Sequence, residues 1–293
     1  MHLLLELMII HPLKRLGDKM KELRPVISLL TDYGLRDPYV AEVKAVIISY
    51  CRDAVIIDVS HEVSAFNELE AAFLLTTYIE YMPEKTIHVC IIDPGVGAGR
   101  RGIVIETMRG DLFIGPDTGF MIPAAELLGI KHVYAIDESR LPSKPSETFH
   151  GRDVFAHVAG RLAAGMDVKD IGVEIDDYAR MSLPKPIMGE NWIDATIMHI
   201  DRFGNLITNL KPELLLNRMK SDELVIEFRN RVIKCKFVKA YGLVKVGEPL
   251  LTVGGSGFIE LAVNRGSAAE TFRLNVGDVI RIKKNRQTSE RAV

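Results

Sequence analysis

From Pro25 onward, short apolar runs alternate with longer segments of helical period. VISLL reads as a buried strand that ends in the polar Thr31-Asp32-Tyr33-Gly34. DPYVAEVKAVIISYC then predicts a helix opening at Asp37-Pro38, since a proline in the first turn gives up no hydrogen bond. AVIIDVS is a second strand, and Asn67 to Met82 has helical periodicity with a stop at Pro83. IHVCIID is a third strand; GIVIET and DLFIG, joined through Arg109-Gly110, predict a hairpin. A helical segment from Thr118 to Leu128, the strand HVYAID and the helix VFAHVAGRLAAGM follow. Strands alternating with helices predict an α/β fold: a mainly parallel, helix-covered, Rossmann-like sheet.

The pattern changes near Leu183. LPKPIMGEN is rich in Pro and Gly, and beyond it WIDATIMHI, NLITNL, ELVIEF, RVIKCKFV, LLTVG, FIELAV and DVIRIKK are short strands at close intervals. Such a run predicts a small all-β, barrel-like or sandwich unit. The chain therefore divides into an N-terminal extension at 1–24, an α/β domain at 25–183, a linker at 184–190 and a β-barrel domain at 191–293, with no internal repeat. The extension carries a short apolar run followed by charge and has no small-residue cleavage site. It is expected either to lie outside the fold or to reflect an upstream start, with Met20 the true beginning. The tail NRQTSERAV is expected to fray.

Composition narrows the class without naming the chemistry. With 47% hydrophobic and 26% charged residues in 293, the chain is expected to be soluble and globular. A net charge of −2 gives no electrostatic case for nucleic acid, and no apolar stretch reaches membrane-spanning length. Cys51, Cys90 and Cys235 make no metal-type spacing, which suits three buried thiols in a reducing, cytoplasmic setting.

The polar residues of interest sit where strands end. In IHVCIIDPGVGAGRRGIVIE, Asp93 is left at the C-terminal end of a strand, with Arg100 a few residues on. Gly97 to Gly102 literally fits GxGxxG, but a dinucleotide site needs a helix to follow and here a hairpin does, so that function is rejected. Further clusters are Thr31-Asp32, His150 with Arg152-Asp153, Asp201 to Asn205, and Gly254 to Gly257. Each alone has a plain structural explanation: Asp32 as a helix cap, Asp93 fixing its own turn, His150 a satisfied polar residue, Arg152-Asp153 an ion pair, Asp201 to Asn205 a turn. The chain has no HExxH, no clustered Cys/His, no G-x-S-x-G and no GKS/GKT. A mixed carboxylate–imidazole metal site from Asp93, His150 and Asp153 stays open as a minor alternative. What remains is an Asp–Arg–His group suited to activating water.

ISLLTDYGLRDPYVAEVKAVI, IDPGVGAGRRGIVIET, GDLFIGPDTG, TFHGRDVFAHVA, IDRFGNLITNL and GSGFIELAVNRGSAAE, in this order, resemble the adenosine-forming S-adenosyl-L-methionine (SAM) hydrolases, or SAM hydroxide adenosyltransferases, relatives of fluorinase and chlorinase. The resemblance runs from about Val26 to Ile282. It implies an N-terminal α/β domain with a C-terminal β-barrel, SAM as substrate, adenosine and L-methionine as products, no metal or other cofactor, and a homotrimer with sites at subunit interfaces. It places the water-activating triad on Asp93, Arg100 and His150. The halogenases carry tyrosines at the positions of Asp93 and His150, and fluorinase a serine at that of Gly151. Asp32 then matches a carboxylate for the ribose hydroxyls, Asp201 an acid for the methionine amine, Phe203 a stacking face for adenine, and Asn205 a reader of its edge. Phe66, Thr148 and Phe149 would flank the ligand, and Ser256, Glu260, Val263 and Arg265 would join from the β-domain.

On this resemblance Asp93 is expected to accept the proton or position hydroxide, His150 to share that proton, and Arg100 to offset the negative charge. Which of Asp93 and His150 takes the proton stays open at this point. A SAM-dependent halogenase and a SAM or adenosine sensor with incidental hydrolysis are the competing functions.

Overall fold

The computed structural model describes residues 24–142, 146–219, 221 and 223–285. Of the expected N-terminal extension only Arg24 falls within these residues, and of the tail only Asn285. The first half contains β1 (Val26–Thr31), α1 (Tyr39–Tyr50), β2 (Val55–Ser60), α2 (Glu68–Tyr78), β3 (Ile87–Ile91), β4 (Gly102–Thr107), β5 (Leu112–Pro116), α3 (Ile122–Leu127), β6 (Ile130–Ile136), α4 (Ala156–Ala163) and β7 (Gly172–Glu174). β1 and β3 are buried almost throughout, as strands must be when helices cover both faces of their sheet. Alternate residues serve alternate faces. Ile27, Leu29, Val89 and Ile91 pack with Val43 and Ile47 of α1 and Val158 and Ala159 of α4. Leu30 and Cys90 pack with Ala71 and Leu75 of α2 and Ala124 and Ala125 of α3.

The strand order is β2-β1-β3-β5-β4-β6-β7. Pairing is parallel from β2 to β5 and antiparallel from β5 to β7. The hairpin expected at Arg109-Gly110 is where the direction changes, because so short a turn can only return a chain antiparallel. The helix-covered α/β fold expected from sequence is therefore present, with its parallel half carrying the strand ends of interest.

The second half contains β8 (Ile187–Met188), β9 (Trp192–Ile200), β10 (Leu206–Thr208), α5 (Pro212–Met219), β11 (Glu223–Phe228), β12 (Arg231–Phe237), β13 (Pro249–Val253), β14 (Ile259–Val263), α6 (Ala268–Phe272) and β15 (Val279–Lys284). Its order, β10-β14-β13-β12-β11-β15-β9-β8, is closed by a β9–β10 pairing into a seven-stranded barrel with β8 appended. Closure satisfies the backbone of every barrel strand and removes the sheet edges. Ile193, Ala195, Ile226, Leu261, Ile280 and Ile282 fill the interior. The two halves meet where Phe73 of α2 is buried against Met198 and Ile207, with the Phe258 ring 5.0 Å from that of Phe73. Beside them His199 and the buried Glu70 are 2.6 Å apart.

Cys90 and Cys235 are buried as expected, whereas Cys51, at the end of α1, is only partly so. One buried polar chain has the order of a hydrolase triad: Ser28 Oγ lies 2.8 Å from His88 Nδ1, and His88 Nε2 lies 3.3 Å from Asp111 Oδ1. All three side chains have no exposed surface and no substrate can reach them, so the chain is structural. Arg109 completes it with two bonds to Asp111 of 2.6 and 2.8 Å. Asp111→Ala strips a buried ion pair of one partner and is expected to cost about 3–5 kcal/mol. Urea unfolding checks this; a change below about 1 kcal/mol would contradict it.

Candidate active site

Asp93 lies two residues past the end of β3 and Asp32 directly follows β1, its parallel neighbour, so both carboxylates stand at the C-terminal edge of the sheet, where open α/β folds bind ligands. The glycine-rich loop after Asp93 turns back instead of starting a helix. Gly97 takes φ +72°, and a Cβ there would lie 2.9 Å from the Glu147 carbonyl oxygen. Only glycine lets the loop lie flat on the segment that leads to His150, and this close approach carries Arg100 to a histidine 50 residues away in sequence.

Arg100 joins the group. Its Nε donates to Asp93 Oδ1 at 2.7 Å, its Nη2 donates to Asp93 Oδ2, and Nη2 also lies 3.1 Å from His150 Nδ1. Asp93 and Arg100 keep only 8% and 11% of their side-chain surface exposed, and His150 is buried. A guanidinium has no acceptor, so the nitrogen facing it must offer a lone pair. His150 is thereby fixed as the tautomer with its proton on Nε2. Arg100 Nη1 is buried with no hydrogen-bond partner among the described residues, and the guanidinium stacks 5.1 Å above the Phe155 ring.

The flanking residues are held in place by charge and aromatic contact. His150 precedes a π-helical turn, Gly151–Phe155, that leads into α4. Arg152 bonds Asp153 at 2.6 Å and Glu42 at 2.7 Å and lies over the Phe149 ring at 4.8 Å. Asp153 is consumed by Arg152 and by the Ser146 N–H, and no group of three His, Cys, Asp or Glu side chains among the described residues is arranged to hold a metal ion. Asp93, His150 and Asp153 therefore do not gather as one ligand set. Thr148 is exposed and Phe149 half-buried.

Asp32 does not cap α1, whose N-cap is Pro38. One of its oxygens accepts the Phe66 N–H at 2.9 Å, which fixes Phe66 at φ +63°, a strained value for a bulky residue. The Phe66 side chain stays 68% exposed. Burial, and after it the charge of Asp93, hold the Asp32 carboxyl above the usual aspartate range, against the bond from Phe66. His61, unremarked in the sequence, supports this corner: its carbonyl accepts the Gly34 N–H at 2.6 Å and its Nδ1 lies 2.9 Å from Thr31 Oγ1.

The remaining sequence-predicted residues belong to the barrel. Asp201, Phe203, Asn205, Val263 and Arg265 line one cavity of about 580 Å³ together with Tyr241, Asn264 and Gly266. Asp201 organises its own turn, accepting the N–H groups of Phe203 and Asn205 and the Asn205 side-chain amide, each at 2.9 Å. That last bond fixes the orientation of Asn205, because a carboxylate can only accept from Nδ2. Phe203 is 76% exposed. The buried Glu260 joins the cavity through the Tyr241 hydroxyl, which donates to it; burial and then the nearby Asp201 hold its carboxyl above the usual range. Ser256 is not among the residues lining the cavity, and its Oγ is buried without a hydrogen-bond partner among the described residues. Tyr241 opens a short 3-10 turn outside every motif, and only tertiary structure reveals it; Asn264 lies in the same motif as Val263 and Arg265 but carries no signal of its own.

Each of the two groups is knit by its own interactions, Asp32, Tyr33, Asp93, Arg100 and His150 at the sheet edge and Asp201, Tyr241 and Glu260 in the barrel. Family models match both parts of the chain: the SAM hydroxide adenosyltransferase N-terminal domain over residues 27–172 and the corresponding C-terminal domain over 195–281. The chain is 38% identical over 268 residues to the (R)-S-adenosyl-L-methionine hydrolase of Methanocaldococcus jannaschii, covering 88% of this chain and 95% of that protein. It is more distantly similar, at 23% over 297 residues, to the fluorinase of an Actinoplanes species, covering 89% and 98%. The solved structure of an uncharacterized conserved protein from Thermotoga maritima superposes with a TM-score of 0.83 at 34% identity, over 88% of this chain and all of that one.

A carboxyl whose folded-state pKa is raised favours the native state only while protonated. That contribution is complete below the unfolded value of about 3.9 and is lost as pH rises through the folded one. Ionised Asp32 thus weakens the unliganded protein at neutral pH. Asp32→Asn is expected to raise the melting temperature at pH 7, with the gain shrinking as the pH falls through the raised value. A variant that melts lower at pH 7 would contradict this.

Proposed function

The chain belongs to the SAM hydroxide adenosyltransferase family, and on that premise we propose that it hydrolyses S-adenosyl-L-methionine to adenosine and L-methionine. SAM is a sulfonium, so methionine departs as a neutral thioether and needs no proton. The water oxygen bonds to ribose C5′ as the C5′–S bond breaks, its electron pair going to sulfur, and the proton of the water goes to the enzyme. The difficulty lies in delivering a poor nucleophile in line and stripping its solvent.

The observation that carries this function is the contact of Asp93, Arg100 and His150 at the sheet edge beside Asp32. Asp93 is the proton acceptor. His150 has its Nδ1 lone pair turned to Arg100 and its proton on Nε2, and so is placed to donate toward the water oxygen; a carboxylate has acceptor capacity beyond two hydrogen bonds. Arg100 orients both partners and brings a buried free donor, Nη1, to the negative charge of the nucleophile. The Asp32 carboxylate takes the ribose hydroxyls, with Phe66, Thr148, Phe149 and Gly151 around the reacting carbon. The barrel cavity takes the rest of the substrate: Phe203 and Asn205 the adenine, Asp201 the methionine amine, and Ser256, Glu260, Val263 and Arg265 its surroundings. The reaction consumes only water, and no cofactor is assigned. Two carboxylates beside the nucleophile favour water over a halide anion.

The functional unit is a homotrimer in which the sheet edge of one subunit, in the 25–183 domain, faces the barrel of the next, in the 191–293 domain. Supporting this, Phe66 and Phe203 leave large aromatic faces uncovered, one on each half. A heterologous contact that closes cyclically would bring such halves together. The reduced cysteines and the substrate fit a cytoplasmic setting.

Purified protein given SAM in chelator-treated buffer is expected to release adenosine and methionine in equal amounts without added halide; binding without turnover would favour a sensor. Asp93→Ala is expected to lower kcat by about a hundredfold or more while the adenosine Kd stays within about twofold. Retained turnover would remove Asp93 from the chemistry.

A further inference from the structure

Tyr33 stands among the groups that hydrolysis uses, yet no task has fallen to it. It follows Asp32 at the end of β1, and its ring meets Phe149 edge-on at 5.7 Å and Tyr39 at 5.8 Å. Tyr39 and Phe149 are themselves 5.1 Å apart, so the ring is held by a cluster whose Phe149 is in turn clamped by Arg152. The hydroxyl therefore has a fixed address. A Cβ added to Gly151 would lie 2.3 Å from the Tyr33 hydroxyl oxygen and 3.2 Å from its Cζ. The phenol thus occupies the space that a side chain at 151 would fill, one residue beyond His150.

The hydroxyl is also chemically available. The hydrogen bond that Tyr33 makes through its own turn is from its backbone N–H to Thr31 Oγ1, and its hydroxyl has no hydrogen-bond partner among the described residues. Burial first, then the charges of Asp32 and Asp93, push the phenol well above its usual range, with Arg100 opposing them. It therefore stays a neutral O–H donor in the field of all three charged groups.

A water that gives one hydrogen to its base keeps three lone pairs: one bonds to C5′, one accepts from His150 Nε2–H, and the last is open to a further donor. A neutral phenol next to Gly151 and in the field of the base carboxylate fits that lone pair and would hold the oxygen as negative charge develops on it. We propose that Tyr33 is a further residue of the hydrolytic site, its hydroxyl filling the space that Gly151 leaves and donating to the attacking water. This rests on the hydrolase function proposed above.

Tyr33→Phe in the full chain removes the hydroxyl and keeps the ring packing. The expected result is a kcat about tenfold lower, the worth of one hydrogen bond to a charged group, with melting temperature and adenosine Kd unchanged. Adenosine affinity lost in step with turnover marks a packing role and overturns the proposal. So does an active wild type whose Tyr33→Phe variant turns over at the same rate. An inactive wild type overturns the hydrolase function and this inference together. The steric half is read separately from melting temperatures. Gly151→Ala should destabilise the wild type but have little effect in a Tyr33→Leu background, since the two side chains compete for one space. Equal losses in both backgrounds overturn the contact.

Discussion

A guanidinium can only donate, and Arg100 donates in two directions. That single constraint orders the sheet-edge site. It fixes a carboxylate by a two-point fork, sets the tautomer of a histidine, and leaves one buried nitrogen without a hydrogen-bond partner among the described residues. The fork is geometrically strict, and a lysine, with one compact ammonium, could not hold the carboxylate and the imidazole in the same way. Burial strengthens the arrangement, because the few groups present compete with little water. The fold exists, in this sense, to bring the ends of β1 and β3 and the start of α4 to one point.

The barrel answers a different need. Its cavity is lined by an Asx-type turn, an exposed aromatic ring and a tyrosine that donates to the buried Glu260, features suited to recognising a ligand rather than transforming one. On the proposed function chemistry and recognition fall to separate architectures in one chain, joined by a buried junction around Phe73 and a close polar contact between Glu70 and His199. Asp32 links the two demands. It anchors the Phe66 loop with one oxygen and is held in a state that costs the empty protein stability. Such a trade is common where a polar group is kept for a ligand.

Much of this was legible in the amino-acid sequence, for identifiable reasons. β1 and β3 are continuous apolar runs ending at a polar cluster, so both the parallel sheet and the edge that carries the candidate site could be read from pattern. The hairpin after the glycine loop, read from Arg109-Gly110, removed a false dinucleotide site. β7 and β8 span three and two residues, too short for periodicity to register, and β8 falls in the stretch taken as a linker. α5 and α6 are short helices inside a strand-rich region, where the dominant pattern masks them. At the site, the meeting of Arg100 with His150 depends on a glycine packing against a distant carbonyl, which no local spacing encodes. Asp32 reads as a helix cap and instead latches a loop. Tyr33, His61 and Tyr241 carry no signal of their own, because their roles come from what they touch across the fold.

The central claim is that one water, activated beside Asp93, attacks the ribose carbon of a sulfonium. Turnover of SAM in water enriched in the heavy oxygen isotope, with both products analysed by mass, tests it most directly. The account predicts that the label appears in the 5′-hydroxyl of adenosine and that methionine is unlabelled. Unlabelled adenosine, or label carried by the amino-acid product, would contradict it.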